Sequence, residues 1–203
     1  KAVICVHLGG VPCEMDEIMK LSKKHKLFVI EDCAQAHGAR YKGTSVGSIG
    51  DIGAWSFCQD KIMTTGGEGG MITTNNQRLW KKMWSYKDHG KNYNLVTSGS
   101  TKTGFKWLHD SFGTNWRMTE MQAVIGRIQL KKMDKWNKIR QRNANAIISS
   151  LKKFSGLVDV PSFPNYTNQA FYRVYCSINP SHLGKGWTRD KIIDEINSKG
   201  VPC

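Results

Sequence analysis

Residues 29–74 read VIEDCAQAHGARYKGTSVGSIGDIGAWSFCQDKIMTTGGEGGMITT, and the fold follows from working outward from them. An aromatic and β-branched run, Leu27 to Ile30, leads through Glu31 to a carboxylate, Asp32, at its end. Upstream, Glu14 to His25 spaces Met15, Ile18, Met19 and Leu21 at close to helical period, and Ala2 to His7 reads as another buried strand stopping at Gly9-Gly10. Strand, helix, strand implies a right-handed crossover in a parallel sheet, with ligands held at the carboxyl ends of the strands, where Asp32 falls. Downstream, Ile52 to Phe57 makes a third strand, and Gly70 to Thr74 a fourth that leaves the turn Gly66-Gly67-Glu68-Gly69-Gly70. The fold class expected is α/β.

The polar residues between these strands are a chemical set. Asp32 ends one strand, Ser56 lies inside the next, and Lys61 follows five residues later, just before the glycines. A carboxylate, a hydroxyl, a lysine and a glycine turn suit a charged aromatic aldehyde held through its ring nitrogen, its phosphate and its carbonyl, as in pyridoxal phosphate. The ring draws electrons only while its nitrogen stays protonated, and a neighbouring carboxylate stabilises that charge. The aldehyde needs an amine to form a Schiff base and later to carry the proton. The phosphate needs hydroxyl and backbone N–H donors. Taken singly, each residue also has an ordinary reading: Asp32 as a turn or cap residue, Ser56 as a surface hydroxyl, Lys61 as a solvated lysine.

Order and spacing favour the set. Glu31-Asp32-Cys33-Ala34-Gln35-Ala36-His37-Gly38, the block from Gly50 to Lys61, and Gly67 to Gly70 closely resemble the motifs of the DegT/DnrJ/EryC1/StrS sugar aminotransferases. A second block, His109 to Ala123, is similar to that family's G-x-N-x-R-M-x-E-x-Q-A signature. The resemblance implies a fold-type-I, aspartate aminotransferase-like large domain with a three-layer α/β/α, mostly parallel sheet whose fourth strand runs antiparallel. It implies that Asp32 partners the pyridine nitrogen, Gln35 lies against the ring and its phenolic oxygen, Ser56 binds phosphate and Lys61 forms the Schiff base. Asn115 would reach the phosphate of a neighbouring subunit, which implies a homodimer with shared active sites. A sister group with histidine at the lysine position performs deoxygenation, so Lys61 favours transamination. The activity implied is amino transfer from an amino acid, commonly glutamate, to a nucleotide-linked keto-sugar in amino-sugar or polysaccharide biosynthesis. An inosose is the rival substrate, and a non-catalytic homologue is the rival outside enzymology.

The domain organisation expected is residues 1–118 as part of the large domain, 119–153 as one long linking helix, and 154–203 as the opening of a small α+β domain. Thr119 and Gln122 make a capping-box pattern, and Met121, Val124, Ile125, Ile128, Trp136 and Ile139 follow at helical spacing. Asn75 or Asn76 would cap a helix whose Leu79, Trp80, Met83 and Trp84 read as core. Lys91 to Lys106 reads as a mobile loop near the site or a subunit interface, with Lys102 and Lys106 solvent-exposed or facing a diphosphate. Pro161 and Pro164 precede a strand at Phe171 to Ile178 and a helix near Thr188. Family members are longer at both ends, so the chain is expected to be a fragment.

Composition bounds the rest. The 203 residues are 39% hydrophobic, with seven tryptophans, enough for one sizeable core or one domain plus part of another. No apolar run nears the roughly 18–20 residues that span a bilayer, so no membrane partner is expected, and cysteines read as free thiols point to a reducing cytoplasm. The net charge is +14, yet the lysines scatter along helix faces (Lys131, Lys132, Lys135, Lys138), which argues against nucleic acid. Six cysteines without C-x-x-C spacing suggest buried free thiols and no metal site. His37 reads equally as a neighbour of cofactor or substrate or as a structural histidine, Arg117 as an interface, site or salt-bridge residue, and Glu68 as structural.

Overall fold

A computed structural model describes residues 1–98 and 109–203. Lys102 and Lys106 lie outside the described residues. The central sheet has four strands in the order β1 (Ala2–Val6), β2 (Phe28–Asp32), β5 (Ile52–Ser56), β6 (Gly70–Thr73). The first three are parallel and β6 runs antiparallel to β5, as expected. Between β2 and β5 lie two short strands, β3 (Arg40–Tyr41) and β4 (Thr44–Ser45).

The crossover from β1 to β2 is α1 (Met15–His25). Asp16 and Glu17 in its first turn, and Lys23, Lys24 and His25 in its last, complement the helix dipole. Its apolar side meets one face of the sheet, where Cys5, Met15, Val29 and Tyr41 form a buried cluster with Val3, Ile18 and Met19. Strand alternation sends Ile4, Val6 and Phe28 to the opposite face, and these are 64%, 46% and 45% exposed. Of the three layers expected, the described residues therefore build the sheet and one helical layer, and leave the second face open. Exposed surface totals 14,027 Å², against about 9,600 Å² for a compact monomer of 22.9 kDa.

After β6, Asn76 caps α2 (Gln77–Lys87) by accepting the amides of Arg78 and Leu79. The tryptophan stripe of α2 is not core, contrary to the sequence expectation. No residue of α2 is buried, and Trp80 and Trp84 instead pack edge-on against Tyr93 of α3 (Tyr93–Thr97). That short helix, capped by Asn92, occupies part of the segment expected to be an irregular loop.

The expected linking helix is two helices, α4 (Glu120–Leu130) and α5 (Met133–Leu151), broken at Lys131-Lys132. Thr119 and Gln122 do form a full capping box at the start of α4. The apolar stripe of α4 faces outward rather than into a core: Met121, Val124, Ile125 and Ile128 are all exposed. Beyond α5 come β7 (Val158–Asp159), β8 (Thr167–Asn168), β9 (Ser177–Ile178) and α6 (Arg189–Ser198), the last capped by Thr188. The strand expected over 171–178 is limited to its last two residues, because 170–173 bonds irregularly to the Gly9-Gly10 turn (Ala170 N–H to Gly10 O, Arg173 N–H to Gly9 O).

Candidate active site

Asp32 and Ser56 stand on the same, open face of the sheet. Alternation along β2 puts Phe28, Ile30 and Asp32 on that face, and alternation along β5 puts Ile52, Ala54 and Ser56 there. Asp32 pairs in register with Ala54, so Ser56 lies one step further along the adjacent strand. One oxygen of Asp32 accepts the Ala34 amide hydrogen at 3.0 Å, which opens the turn that carries Gln35. Gln35 is held by its side-chain oxygen, which accepts from Gly9 N–H at 2.7 Å. Its NH2 group is therefore the end left to meet a ligand, and that end can only donate.

Lys61 follows β5 on a turn in which its amide hydrogen bonds to Cys58 O. The glycine turn beyond it is fastened twice through Glu68 O, which accepts from Thr65 Oγ1–H and Gln122 Nε2–H, both at 2.8 Å. The Glu68 carboxylate also accepts from Cys58 Sγ–H at 3.5 Å. The Lys61 ammonium sits 5.1 Å from the centre of the Tyr172 ring, and Tyr172 O–H donates to Asp60 at 2.7 Å.

His37 is buried, 5.4 Å from the Trp55 ring and 5.9 Å from the Phe57 ring. Neither ring nitrogen has a hydrogen-bond partner among the described residues. Burial pushes its pKa down to about 4, and the charges of Lys61 and Arg140 act in the same direction. The Ser56 backbone offsets part of this without full hydrogen-bond geometry. His37 is consequently a neutral ring packed against Trp55 and Phe57, near enough to Lys61 to feel its charge. Gly38, next to it, has φ +85°, and a Cβ there would fall 1.8 Å from Asn137 Nδ2 on α5.

Asn115 is not brought to the other site residues. It is exposed, in a bridge opposite Asp88, and its neighbours hold it there: His89 N–H bonds to Thr114 O and Trp116 N–H to Lys87 O. Among the described residues it makes no recorded contact with Asp32, Ser56 or Lys61. Arg117 pairs with buried Asp88, which also binds Lys91 at 3.1 Å. Burial raises the Asp88 pKa, but Lys91 and Arg117 together hold it below the ordinary carboxylate range. Arg117 is thus a salt-bridge residue in this chain.

Sequence reading missed the cluster behind Asp32. Glu31, fully buried on the face opposite Asp32, accepts from His7 Nε2–H at 3.1 Å and from the amides of Gly47, Ile49 and Gly50 at 2.7, 2.8 and 2.6 Å. Burial raises its pKa, and these donors more than reverse that, leaving it below the ordinary value. A buried carboxylate demands such partners, so the position of Glu31 one residue before Asp32 was the available signal. Ligand-type atoms of His7, Glu31 and Cys33 lie within 4.8 Å of one another. A metal at His7 Nε2 would require the proton on Nδ1, where Cys13 N–H already donates at 3.0 Å. The cluster is a fastener that fixes the strand end carrying Asp32. The six cysteines are free, but only Cys5 and Cys33 are buried, and Cys176 and Cys203 are exposed.

The family profile of the DegT/DnrJ/EryC1/StrS aminotransferases matches residues 1–203. The chain belongs to that family. A solved structure of the aminotransferase from Psychrobacter cryohalolentis is similar at 59% identity with a TM-score of 0.95, over 100% of this chain and 53% of that one. GDP-perosamine synthase of Caulobacter vibrioides is 36% identical over 203 residues, 99% of this chain and 50% of the relative. The L-glutamine:2-deoxy-scyllo-inosose aminotransferase of Streptoalloteichus tenebrarius is 34% identical over 203 residues, 100% of this chain and 47% of the relative. The chain spans about half the length of the curated relatives it matches. The fold-type-I α/β reading holds through these neighbours.

Pyridoxal phosphate is the cofactor of this family. The residues present fit it in kind: Asp32 offers a carboxylate, Gln35 an N–H donor suited to a phenolic oxygen, Ser56 a hydroxyl and Lys61 an amine. No helix among the described residues is long and apolar enough to cross a membrane.

Proposed function

We propose that the protein is a pyridoxal-phosphate-dependent aminotransferase that moves an amino group from an amino acid, glutamate foremost, to a nucleotide-linked keto-sugar. The observation that carries this reading is the shared placement of Asp32 and Ser56 on one sheet face, with Lys61 on the turn that follows. When bound, the cofactor supplies an electron sink that stabilises negative charge at the carbon losing its proton.

The chain's own residues do the rest. Asp32 holds positive charge on the ring nitrogen, and its strand end is fixed by the Glu31–His7 fastener. Gln35 donates its N–H to the phenolic oxygen, since its carbonyl oxygen is already engaged by Gly9. Ser56 donates to phosphate. Lys61 would hold the cofactor through its Nζ, and once freed by the donor's amine that nitrogen would carry the proton taken from the donor's α-carbon. His37, neutral between the Trp55 and Phe57 rings, adds no competing charge near Lys61.

Asn115 completes the site from a second copy in this reading. Its exposure, its rigid mounting and the exposed apolar residues around it (Phe112, Trp116, Met121) support a homodimer with shared sites. Six thiols without a disulfide suit a reducing, cytoplasmic setting. The inosose relative keeps a cyclitol substrate as the second reading. The test is to supply the full natural chain with cofactor and glutamate and to measure 2-oxoglutarate against a panel of GDP-, UDP- and dTDP-linked keto-sugars and 2-deoxy-scyllo-inosose. A nucleotide-linked acceptor is expected to drive turnover. Turnover with the inosose alone would move the substrate class, and none with any acceptor would overturn the reading.

A further inference from the structure

Lysine carries its amine on four rotatable carbons, so a lysine that must bind, leave and return needs something to limit its wandering. In this chain the group against the Lys61 ammonium is an aromatic ring from a distant segment, Tyr172. The ring lies 5.1 Å away, inside the range of cation–π attraction. The mounting of that ring is unusual. Ala170 N–H and Arg173 N–H bond to the carbonyls of Gly10 and Gly9, fixing the backbone on both sides of Tyr172. Between them Phe171 is buried at φ +50°, a conformation that costs a side-chain-bearing residue energy and persists only where the surroundings enforce it. Gly9 also holds Gln35, so one turn positions both the amide expected at the ring and the tyrosine beside the lysine.

We propose that Tyr172 is a positioning residue for Lys61. Its ring is the seat on which the ammonium rests whenever the amine is not joined to the cofactor, and Asp60, through the Tyr172 hydroxyl, fixes the seat's orientation. Arg173 lies over the same ring at 4.9 Å, so the ring is shared by two cations. The Asp60 carboxylate, one residue before Lys61, makes the link reciprocal: lysine turn and tyrosine segment are tied at two points. Consistent with that bond, Asp60 holds the Tyr172 hydroxyl above the usual tyrosine range. This role rests on the assignment of Lys61 as the cofactor-binding lysine.

The test uses the full natural chain and the variants Tyr172→Phe, Tyr172→Leu and Asp60→Ala, with melting temperatures recorded for each. In the cofactor-free protein, a limiting pulse of acetic anhydride is followed by peptide mass spectrometry of Lys61. Tyr172→Leu is expected to raise labelling of Lys61 about fivefold, and Tyr172→Phe and Asp60→Ala, which break the same hydroxyl–carboxylate link, about twofold each. With cofactor bound, glutamate should bleach the visible band about tenfold more slowly in Tyr172→Leu and only about twofold more slowly in Tyr172→Phe, which keeps the ring but loses its tie to Asp60. Unchanged labelling in Tyr172→Leu overturns the proposal, as does equal loss in the Phe and Leu variants. Where Tyr172→Leu does not fold, labelling of Asp60→Ala, an exposed substitution, decides in the same sense. A wild-type protein with no visible band would instead refute the cofactor assignment, so the two failures are distinct.

Discussion

Replacing His37 by Phe should flatten the acid limb of the protein's stability curve. His37 is 5% exposed, packed against Trp55 and Phe57, and its pKa is pushed from 6.5 down to about 4. The unfolded chain therefore takes up a proton near pH 6.5 while the folded one does not. Stability linked to His37 is present above pH 6.5 and is lost as pH falls toward 4. A shift of this size corresponds to about 3 kcal/mol over the whole window, and to about 2 kcal/mol between pH 7.5 and 5. A phenyl ring fits among the same aromatic neighbours, does not titrate, and removes two buried nitrogens that lack partners. Urea unfolding of both proteins at intervals from pH 7.5 to 4.5 gives the test, because groups titrating alike in both cancel in the difference. The variant should lose about 2 kcal/mol less than the wild type on going from pH 7.5 to 5. Parallel curves would refute the account of His37 as a neutral buried ring.

Glu31→Gln should be among the most damaging single-atom changes. It sets an NH2 group against donors that already point inward from His7, Gly47, Ile49 and Gly50, at a cost of about 3 kcal/mol in denaturant unfolding. A loss under 1 kcal/mol would show that the fastener is not needed. Gly90→Ala should destabilise by at least about 2 kcal/mol, since Gly90 has φ +70° and a Cβ would fall 1.7 Å from Ser111 O. In the proposed homodimer the same variant should also weaken subunit association, because the displaced backbone leads to Asn115; sedimentation at falling protein concentration would read this, and an association as strong as that of the unaltered protein would contradict it.

Much of the fold was legible because its signals are local. The β-branched runs of β1 and β2, the Asn76 and Thr188 caps and the Thr119–Gln122 box each need only a few neighbouring residues to be recognised. The errors arose where tertiary packing decides. Apolar spacing in α2 and α4 marked amphipathic helices correctly, yet their stripes meet Tyr93 or solvent rather than a core, since spacing does not say what covers a face. The break at Lys131-Lys132 carries neither glycine nor proline and left no local mark. The proposed site residues Asp32, Gln35, Ser56 and Lys61 were read by type and order within one segment. Tyr172 and His7 were not, because each acts on a partner far away in sequence: Lys61, and Glu31.

The central claim is that Lys61 is the residue joined to the cofactor. Borohydride reduction of the full natural chain loaded with pyridoxal phosphate, followed by peptide mass mapping, tests it most directly. The account predicts the reduced cofactor on the peptide containing Lys61 and loss of the adduct in Lys61→Ala. An adduct on another lysine, or none in a protein that has bound the cofactor, would contradict it.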